Sequence, residues 1–174
     1  MIDNLILKQQ QNRLWSIFHL EDGFHQMHLH TDSQHLTAFQ TPWGSYMFTV
    51  LPMGIRNGPA MFQRLICWIL RGTPRAIAYI DDVLISTPQA EPSTSLVYEH
   101  YQDVCHTLAI FRKYSLGVKG VKVKLFRLSI KFCGQILSQG QRRAAPSKLQ
   151  AIKDWKYQMI TSVLKLKSFM GLAQ

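Results

Sequence analysis

Apolar and polar residues follow two different periods along this chain, which predicts a mixture of strands and helices. A short apolar run at 15–20 has the β-prone composition of a strand, and a turn follows at 21–23. Two further β-prone runs, 36–41 and 45–51, are separated by Pro42-Trp43-Gly44. They are therefore predicted to pair as a hairpin.

Helical periodicity begins after Asn57-Gly58-Pro59, because proline favours the first turn of a helix. Apolar residues dominate 60–70, so this helix is expected to be buried on most of its surface. A second helix, at 96–114, is expected to be amphipathic. Four apolar residues would lie broadly on one side of it: Val97, Val104, Leu108 and Phe111. The remaining predicted elements are two short strands within 121–137 and helices at 149–155 and 162–173, the last with Ser162 as its N-cap.

The segment 76–86 carries the most informative pattern. Two apolar β-type runs flank Asp81 and Asp82, which predicts a tight hairpin with both acids at its tip. A polar loop is predicted at 88–95. Because hairpins and helices are interspersed, the predicted fold class is α+β, with a small antiparallel sheet backed by helices rather than a doubly wound parallel sheet.

The composition predicts a chain with an apolar core and a polyanionic partner. Hydrophobic residues make up 47% of the 174, and 20 Lys and Arg outnumber 10 Asp and Glu, giving a net charge of +10. Nucleic acid is the commonest such partner, because phosphate contacts release counterions, although a basic protein with an ordinary solvated surface has the same balance. Three widely separated cysteines predict an intracellular chain, in the cytoplasm or nucleus, and no segment is apolar for long enough to predict a membrane span.

Two adjacent aspartates between apolar runs are energetically costly, because the carboxylates repel one another and burial adds desolvation. A cation such as Mg²⁺ would offset that cost, since it prefers oxygen ligands and joins carboxylates to phosphates. The alternative is an ordinary exposed turn, where Asp is common. The apolar residues on both sides of Asp81 and Asp82 favour the metal interpretation.

Several blocks of residues resemble the polymerases of Ty3/gypsy-type long-terminal-repeat retrotransposons. Tyr79-Ile80-Asp81-Asp82 is similar to the Y-x-D-D signature of reverse transcriptases. Upstream, 20–26 resembles L-x-x-G-[FY]-H-Q and 37–46 resembles T-A-F-x-T-x-x-G-x-Y. The block at 51–63 resembles L-P-[FM]-G-[LI]-x-x-[AG]-P-A-x-F-Q.

The resemblance continues downstream in the same order. Phe132-Cys133-Gly134-Gln135 is similar to F-[LC]-G-H, and 168–172 is similar to S-F-[LM]-G-L. It implies a reverse-transcriptase polymerase palm at 14–134 and the start of a thumb or connection region at 135–174. It also implies that the fingers segment is missing, with only a tail at 1–13.

The resemblance also implies a catalytic site. Asp81 and Asp82 match two of the three aspartates that bind two Mg²⁺ ions in the family, and His19 occupies the position of the third. Neutral imidazole brings no charge and is a poor ligand for a hard cation, so this copy is expected to be inactive. A continuing strand would place Glu21 on the same face as His19, where it could replace the lost carboxylate.

Further roles follow from the same resemblance. Phe24 matches the aromatic residue that packs against the sugar of the incoming nucleotide, and Met53 and Gly54 match a turn that contacts nucleotide and template. The implied partners are an RNA or DNA primer-template and a deoxynucleoside triphosphate. The oligomeric state is not predicted.

Three functions remain open on the sequence. The first is RNA-directed DNA polymerase, the second is a non-catalytic nucleic-acid-binding module, and the third is a relic without a selected function. His19 distinguishes the first from the others, and salt-dependent binding distinguishes the second from the third.

Overall fold

The computed structural model of the chain describes residues 12–88, 94–138, 141–155 and 161–173. The strands are β1 (Asn12–His19), β2 (Phe39–Thr41), β3 (Gly44–Tyr46), β4 (Ala76–Tyr79), β5 (Asp82–Pro88), β6 (Lys124–Arg127), β7 (Ser129–Phe132), β8 (Gln135–Ser138) and β9 (Gln141–Ala144). The helices are α1 (Thr31–Gln34), α2 (Gly58–Ile69), α3 (Thr94–Lys113), α4 (Pro146–Asp154) and α5 (Val163–Ala173). Single 3₁₀ turns lie at Gly23–Gln26, His35–Thr37, Leu70–Gly72 and Gly120–Lys122.

A four-stranded sheet in the order β4-β5-β1-β6 forms the centre of the fold, and its neighbouring strands are antiparallel. Successive side chains of β1 point to opposite faces of the sheet, and its apolar residues are divided between two buried clusters. Phe18 lies in a cluster with Phe62 of α2 and Phe111 of α3. Trp15 lies in a second cluster with Phe132 of β7. Helices therefore cover one face of the sheet, and β7 and β8 cover the other. The predicted α+β class is confirmed.

The two predicted hairpins are present, but the first is shorter than predicted. Strands expected at 36–41 and 45–51 are reduced to β2 and β3, which pair over three residues each. The rings of Phe39, Tyr46 and Phe48 are partly exposed and stack on one another rather than entering the core. With no core to pack against, these strands gain nothing from extending further.

The prediction that the helix at 60–70 is buried on most of its surface was wrong. In α2, Phe62, Ile66 and Ile69 are buried, whereas Met61 and Trp68 are exposed. Only one face of this helix meets the sheet, so the helix is amphipathic.

The predicted apolar face of the second helix is half right. Val104 and Phe111 of α3 are buried, but Val97 and Leu108 are exposed. The buried stripe includes two polar residues, His100 and Thr107, at helical spacing from Val104. Apolar periodicity could not find a stripe that is half polar.

The C-terminal half has four strands, two more than predicted. The interval 121–137 holds β6, β7 and most of β8, because β6 joins the central sheet while β7 and β8 form a separate sheet with β9. Helix α4 begins at Pro146, three residues before the predicted start, and the amide of Lys165 donates to Ser162 Oγ at 3.2 Å, as predicted for an N-cap.

The domain boundaries proposed from the sequence remain predictions. The boundary at 134/135 falls in the turn between β7 and β8. The tail at 1–13 lies outside the described residues except for Asn12 and Arg13, which belong to β1, and most of the loop at 88–95 also lies outside them. None of the helices in the described ranges is long and apolar enough to cross a membrane.

Candidate active site

The turn between β4 and β5 holds the paired aspartates at the edge of the central sheet. Tyr79 pairs with Asp82, which leaves Ile80 and Asp81 as a two-residue turn. Ile80 has φ of 52°, a costly conformation for a β-branched residue. Gln63 of α2 supports it, since its side chain accepts from the Ile80 amide at 2.6 Å and donates to the Ala78 carbonyl at 2.9 Å.

The end of β1 lies beside this turn. His19 is in register with Asp82, and the Leu20 amide donates to the Asp81 carbonyl at 2.7 Å. His19 Nδ1 lies 2.9 Å from Asp82 Oδ1, and Lys122 Nζ lies 3.4 Å from His19 Nε2. These partners suit a ring that donates from Nδ1 to the carboxylate and accepts at Nε2 from the ammonium. The three side chains form one chain of contacts, Lys122–His19–Asp82.

Asp81 has a different environment from Asp82. Its Oδ1 is buried and has no hydrogen-bond partner among the described residues. A Cβ built on Gly23 would lie 2.3 Å from that oxygen, so the carboxyl packs tightly against the Gly23 backbone. Burial raises the pKa of the Asp81 carboxyl, and the negative charges of Asp82 and Asp22 add to the rise, whereas His19 and Lys122 oppose it.

A cleft of about 460 Å³ opens beside Asp82 and is called the Asp82 cleft below. Its lining residues are Ile17, His19, Tyr79, Asp82, Val121, Lys122, Lys124, Lys131, Cys133 and Gly134. Three of these side chains are lysines and one is a carboxylate, so the lining is basic. Burial, together with the charge of Asp82, raises the pKa of the Cys133 thiol to about 12, which makes it unreactive at neutral pH.

The donor set does not fit the two-metal site that the resemblance implies. Within the described ranges, no cluster of three or more His, Cys, Asp or Glu side chains could hold a metal ion. Asp82 is hydrogen-bonded to His19, and Asp81 Oδ1 is buried against Gly23, outside the lining of the Asp82 cleft. Hard divalent cations prefer converging oxygen ligands, which this arrangement lacks.

The other residues singled out in the sequence are more scattered. Phe24 lies in the 3₁₀ turn after β1, and its ring packs edge-to-face on Phe62 at 5.4 Å. Met53 is 69% exposed in the loop before α2, and Gly54 has φ of 90° with open space around it. Neither Met53 nor Gly54 lines the Asp82 cleft.

Glu21 does not continue the strand as expected. β1 ends at His19, and the turn that follows leaves Glu21 exposed. In this turn it is Asp22, with φ of 45°, whose charge adds to that of Asp82 in raising the pKa of Asp81. Sequence reasoning missed Asp22. It placed Lys122 in a basic stretch that could contact phosphates, but it missed the contact of Lys122 with His19, which is 103 positions away.

Comparison with known protein families gives one match over most of the chain. Residues 2–137 match the family described as Reverse transcriptase (RNA-dependent DNA polymerase). The chain is 34% identical over 155 residues to the Retrovirus-related Pol polyprotein from transposon opus of Drosophila melanogaster. The aligned region covers 88% of this chain and 15% of that protein. It is 29% identical over 163 residues to the corresponding polyprotein from transposon gypsy of the same organism, covering 92% of the chain and 15% of the relative. The chain thus spans under a sixth of the length of these relatives.

Solved structures with a similar fold include two complexes of a foamy viral protease-reverse transcriptase. One is bound to double-stranded DNA, with a TM-score of 0.78, 26% identity, and coverage of 93% of this chain and 27% of that one. The other is bound to an RNA/DNA hybrid, with a TM-score of 0.73, 26% identity, and coverage of 95% of this chain and 22% of that one. Both agree with the antiparallel sheet backed by helices that is described above.

Proposed function

Because this chain belongs to the reverse transcriptase (RNA-dependent DNA polymerase) family, we propose that it is the palm of a retrotransposon reverse transcriptase and that it holds a primer-template without extending it. The observation that carries this proposal is the hydrogen bond of 2.9 Å between His19 and Asp82. It lies where the resemblance implies a third metal-binding carboxylate.

Nucleic-acid binding is supported by charge and by the position of that charge. The chain has a net charge of +10, and the Asp82 cleft brings together Lys122, Lys124 and Lys131. Lysines placed in this way contact backbone phosphates without reading sequence. The foamy viral relatives of similar fold are bound to double-stranded DNA and to an RNA/DNA hybrid, which are the ligands we assign to this chain.

The proposed loss of catalysis follows from the donor set. In polymerases, two divalent ions stabilise the attacking and leaving oxygens of the phosphoryl group. Here Asp82 is hydrogen-bonded to His19, Asp81 Oδ1 is buried, and His19 adds an imidazole where a carboxylate is needed. We therefore assign no nucleotidyl transfer step to this chain. Asp81 and Asp82 are proposed as the residues that performed it in an active ancestor.

The remaining residues keep proposed binding roles. Phe24 is proposed to face the sugar of a bound nucleotide, since its partly buried ring is held by Phe62 and cannot swing freely. Met53 and Gly54 are proposed to contact the template or nucleotide, because their loop is exposed and Gly54 adopts a backbone conformation that side chains disfavour.

The test is binding of a labelled RNA/DNA hybrid, followed by fluorescence anisotropy across a range of KCl concentrations. The variant Lys124→Gln/Lys131→Gln should weaken binding at low salt by on the order of tenfold and lower the salt slope by about 1.5. The control Arg64→Gln/Arg71→Gln removes the same charge from exposed positions in and just after α2.

If wild-type binding does not weaken with salt, or if both double variants lose affinity equally, the Asp82 cleft is not the binding surface. A change confined to the cleft variant supports the proposal. Thermal unfolding of each variant distinguishes lost contacts from lost structure.

A further inference from the structure

We infer that His19 and Lys122 take the place of the divalent cations in this chain, so that the Asp82 cleft binds nucleic-acid phosphates directly and excludes metal. The exclusion of metal does not depend on the function proposed above. The phosphate binding rests on the function proposed above.

The first step concerns Asp82. Its Oδ1 lies 2.9 Å from His19 Nδ1, so the carboxylate already has a donor. The second nitrogen of the same ring lies 3.4 Å from the ammonium of Lys122, so it does not face the carboxylates. A cation entering here would have to displace one of these contacts and lie close to a like charge.

The second step concerns Asp81. Its Oδ1 is buried against Gly23 and has no hydrogen-bond partner among the described residues. Asp81 does not line the Asp82 cleft, so Asp82 is the one carboxylate among the residues that line it. A divalent ion in the cleft would therefore meet a single carboxylate, which falls short of the usual set of oxygen ligands.

The third step concerns the sign of the charge in the cleft. Lys122, Lys124 and Lys131 line it together with one carboxylate, that of Asp82. Such a lining repels a divalent cation and attracts a phosphate. A primer-template backbone can then be held by lysines without a metal bridge, as proteins hold phosphates through charge-assisted hydrogen bonds.

The metal half is tested by titrating the chain with Mn²⁺ and following water-proton relaxation, a readout that does not depend on activity. Wild-type protein should show only weak, non-saturating Mn²⁺ binding, whereas His19→Asp should gain one saturable site. The control His35→Asp adds the same carboxylate at an exposed position outside the Asp82 cleft and should behave as wild type. Adding Asp82→Asn to His19→Asp should remove the new site.

A wild-type chain that binds one Mn²⁺ as tightly as His19→Asp, and loses it with Asp82→Asn, would overturn the inference. So would a His35→Asp control that gains the same site, because the gain would then reflect net charge alone. Circular dichroism at each step checks that the variants are folded.

The phosphate half is tested with the labelled RNA/DNA hybrid at matched ionic strength, in Mg²⁺ and in EDTA. The two affinities should agree within about twofold, and Lys122→Gln should weaken both by a similar factor. Binding that needs Mg²⁺ would contradict the inference while leaving the proposed function standing. Absence of binding in both buffers would contradict the proposed function and the phosphate half together, and the Mn²⁺ titration would still decide the metal half.

Discussion

Replacing His100 should reveal how a buried polar network holds the palm sheet to its helix. His100 of α3 is fully buried, with Nε2 at 2.7 Å from Ser16 Oγ of β1 and Nδ1 at 2.8 Å from Thr87 Oγ1 of β5. Thr87 Oγ1 donates in turn to Asp103 at 3.2 Å. The ring therefore joins the two central strands to the helix.

The variant His100→Phe keeps most of the side-chain volume but takes one hydrogen bond from each of two buried hydroxyls, which keep only the Phe126 amide and Asp103 as partners. Each such group costs about 1–3 kcal/mol, so the free energy of unfolding should fall by roughly 2–5 kcal/mol. Removing the hydroxyls as well, in Ser16→Ala/Thr87→Val/His100→Phe, should recover part of that loss, because the two hydroxyls are no longer buried without His100. The recovery is incomplete because the Phe126 amide, which donates to Ser16 Oγ at 3.1 Å, and the Asp103 carboxylate each lose a partner in the triple variant.

The same residue predicts a pH dependence. Burial lowers the pKa of His100 to about 4 from 6.5, with Arg75 adding to the fall and Asp103 opposing it. Between these values the unfolded chain binds the proton and the folded chain does not, so acid favours unfolding. From pH 7.5 to pH 5 the wild type should lose about 2 kcal/mol more than His100→Phe.

Urea unfolding at pH 7.5 and pH 5, followed by tryptophan fluorescence, measures both quantities. The other titrating groups are common to the two proteins, so the difference between them isolates His100. Equal acid losses in the two proteins would refute the assigned pKa, and a triple variant no more stable than His100→Phe would refute the network.

Two further substitutions test the support around the aspartate turn, both by thermal unfolding. Gly23→Ala should destabilise the chain by about 1–3 kcal/mol, because the added Cβ would overlap Asp81 Oδ1. The control Gly72→Ala should have no such effect, because the space around Gly72 is open. Equal destabilisation by the two substitutions would contradict the close packing at Gly23. Gln63→Leu should cost about 1–3 kcal/mol, because it leaves the Ile80 amide without its partner, and an unchanged melting temperature would show that the turn does not need this brace.

The aspartate turn could be predicted from the sequence because its signals are local. Two β-type runs around Asp81 and Asp82 predict a hairpin, and the structure forms it with Tyr79 paired to Asp82. The position of the end of β1 beside this turn was predicted from the resemblance to the family, whose third metal-binding aspartate corresponds to His19. These features depend on neighbours in sequence or on a shared pattern, and both can be read without coordinates.

The environment of the site could not be predicted in the same way. Lys122 reaches His19 because the Lys119 amide donates to the His19 carbonyl at 2.8 Å, and the 3₁₀ turn that follows brings the ammonium back toward the ring. Gln63 reaches the aspartate turn only because α2 packs on the sheet. Such pairings depend on tertiary packing, for which apolar periodicity carries no signal.

His100 shows the same limit within one helix. A histidine at a helical position is ordinarily assigned to the solvent side, and here it lies in the buried stripe of α3 with Thr107. The cost of burying it is offset by the hydroxyls of Ser16 and Thr87, which belong to strands 84 and 13 positions away.

The central claim is that His19 prevents this palm from extending a primer, and primer extension tests it most directly. Residues 14–174 are grafted behind the fingers segment of a related active reverse transcriptase, once with His19 and once with His19→Asp. The His19→Asp graft should extend at least about 10²-fold faster, because a lost metal-binding carboxylate costs several kcal/mol of transition-state stabilisation, and Asp82→Asn should abolish the gain. Equal rates from the two grafts would contradict the claim, and the carboxylates of Asp22 and Glu21 would then be the ones to remove next.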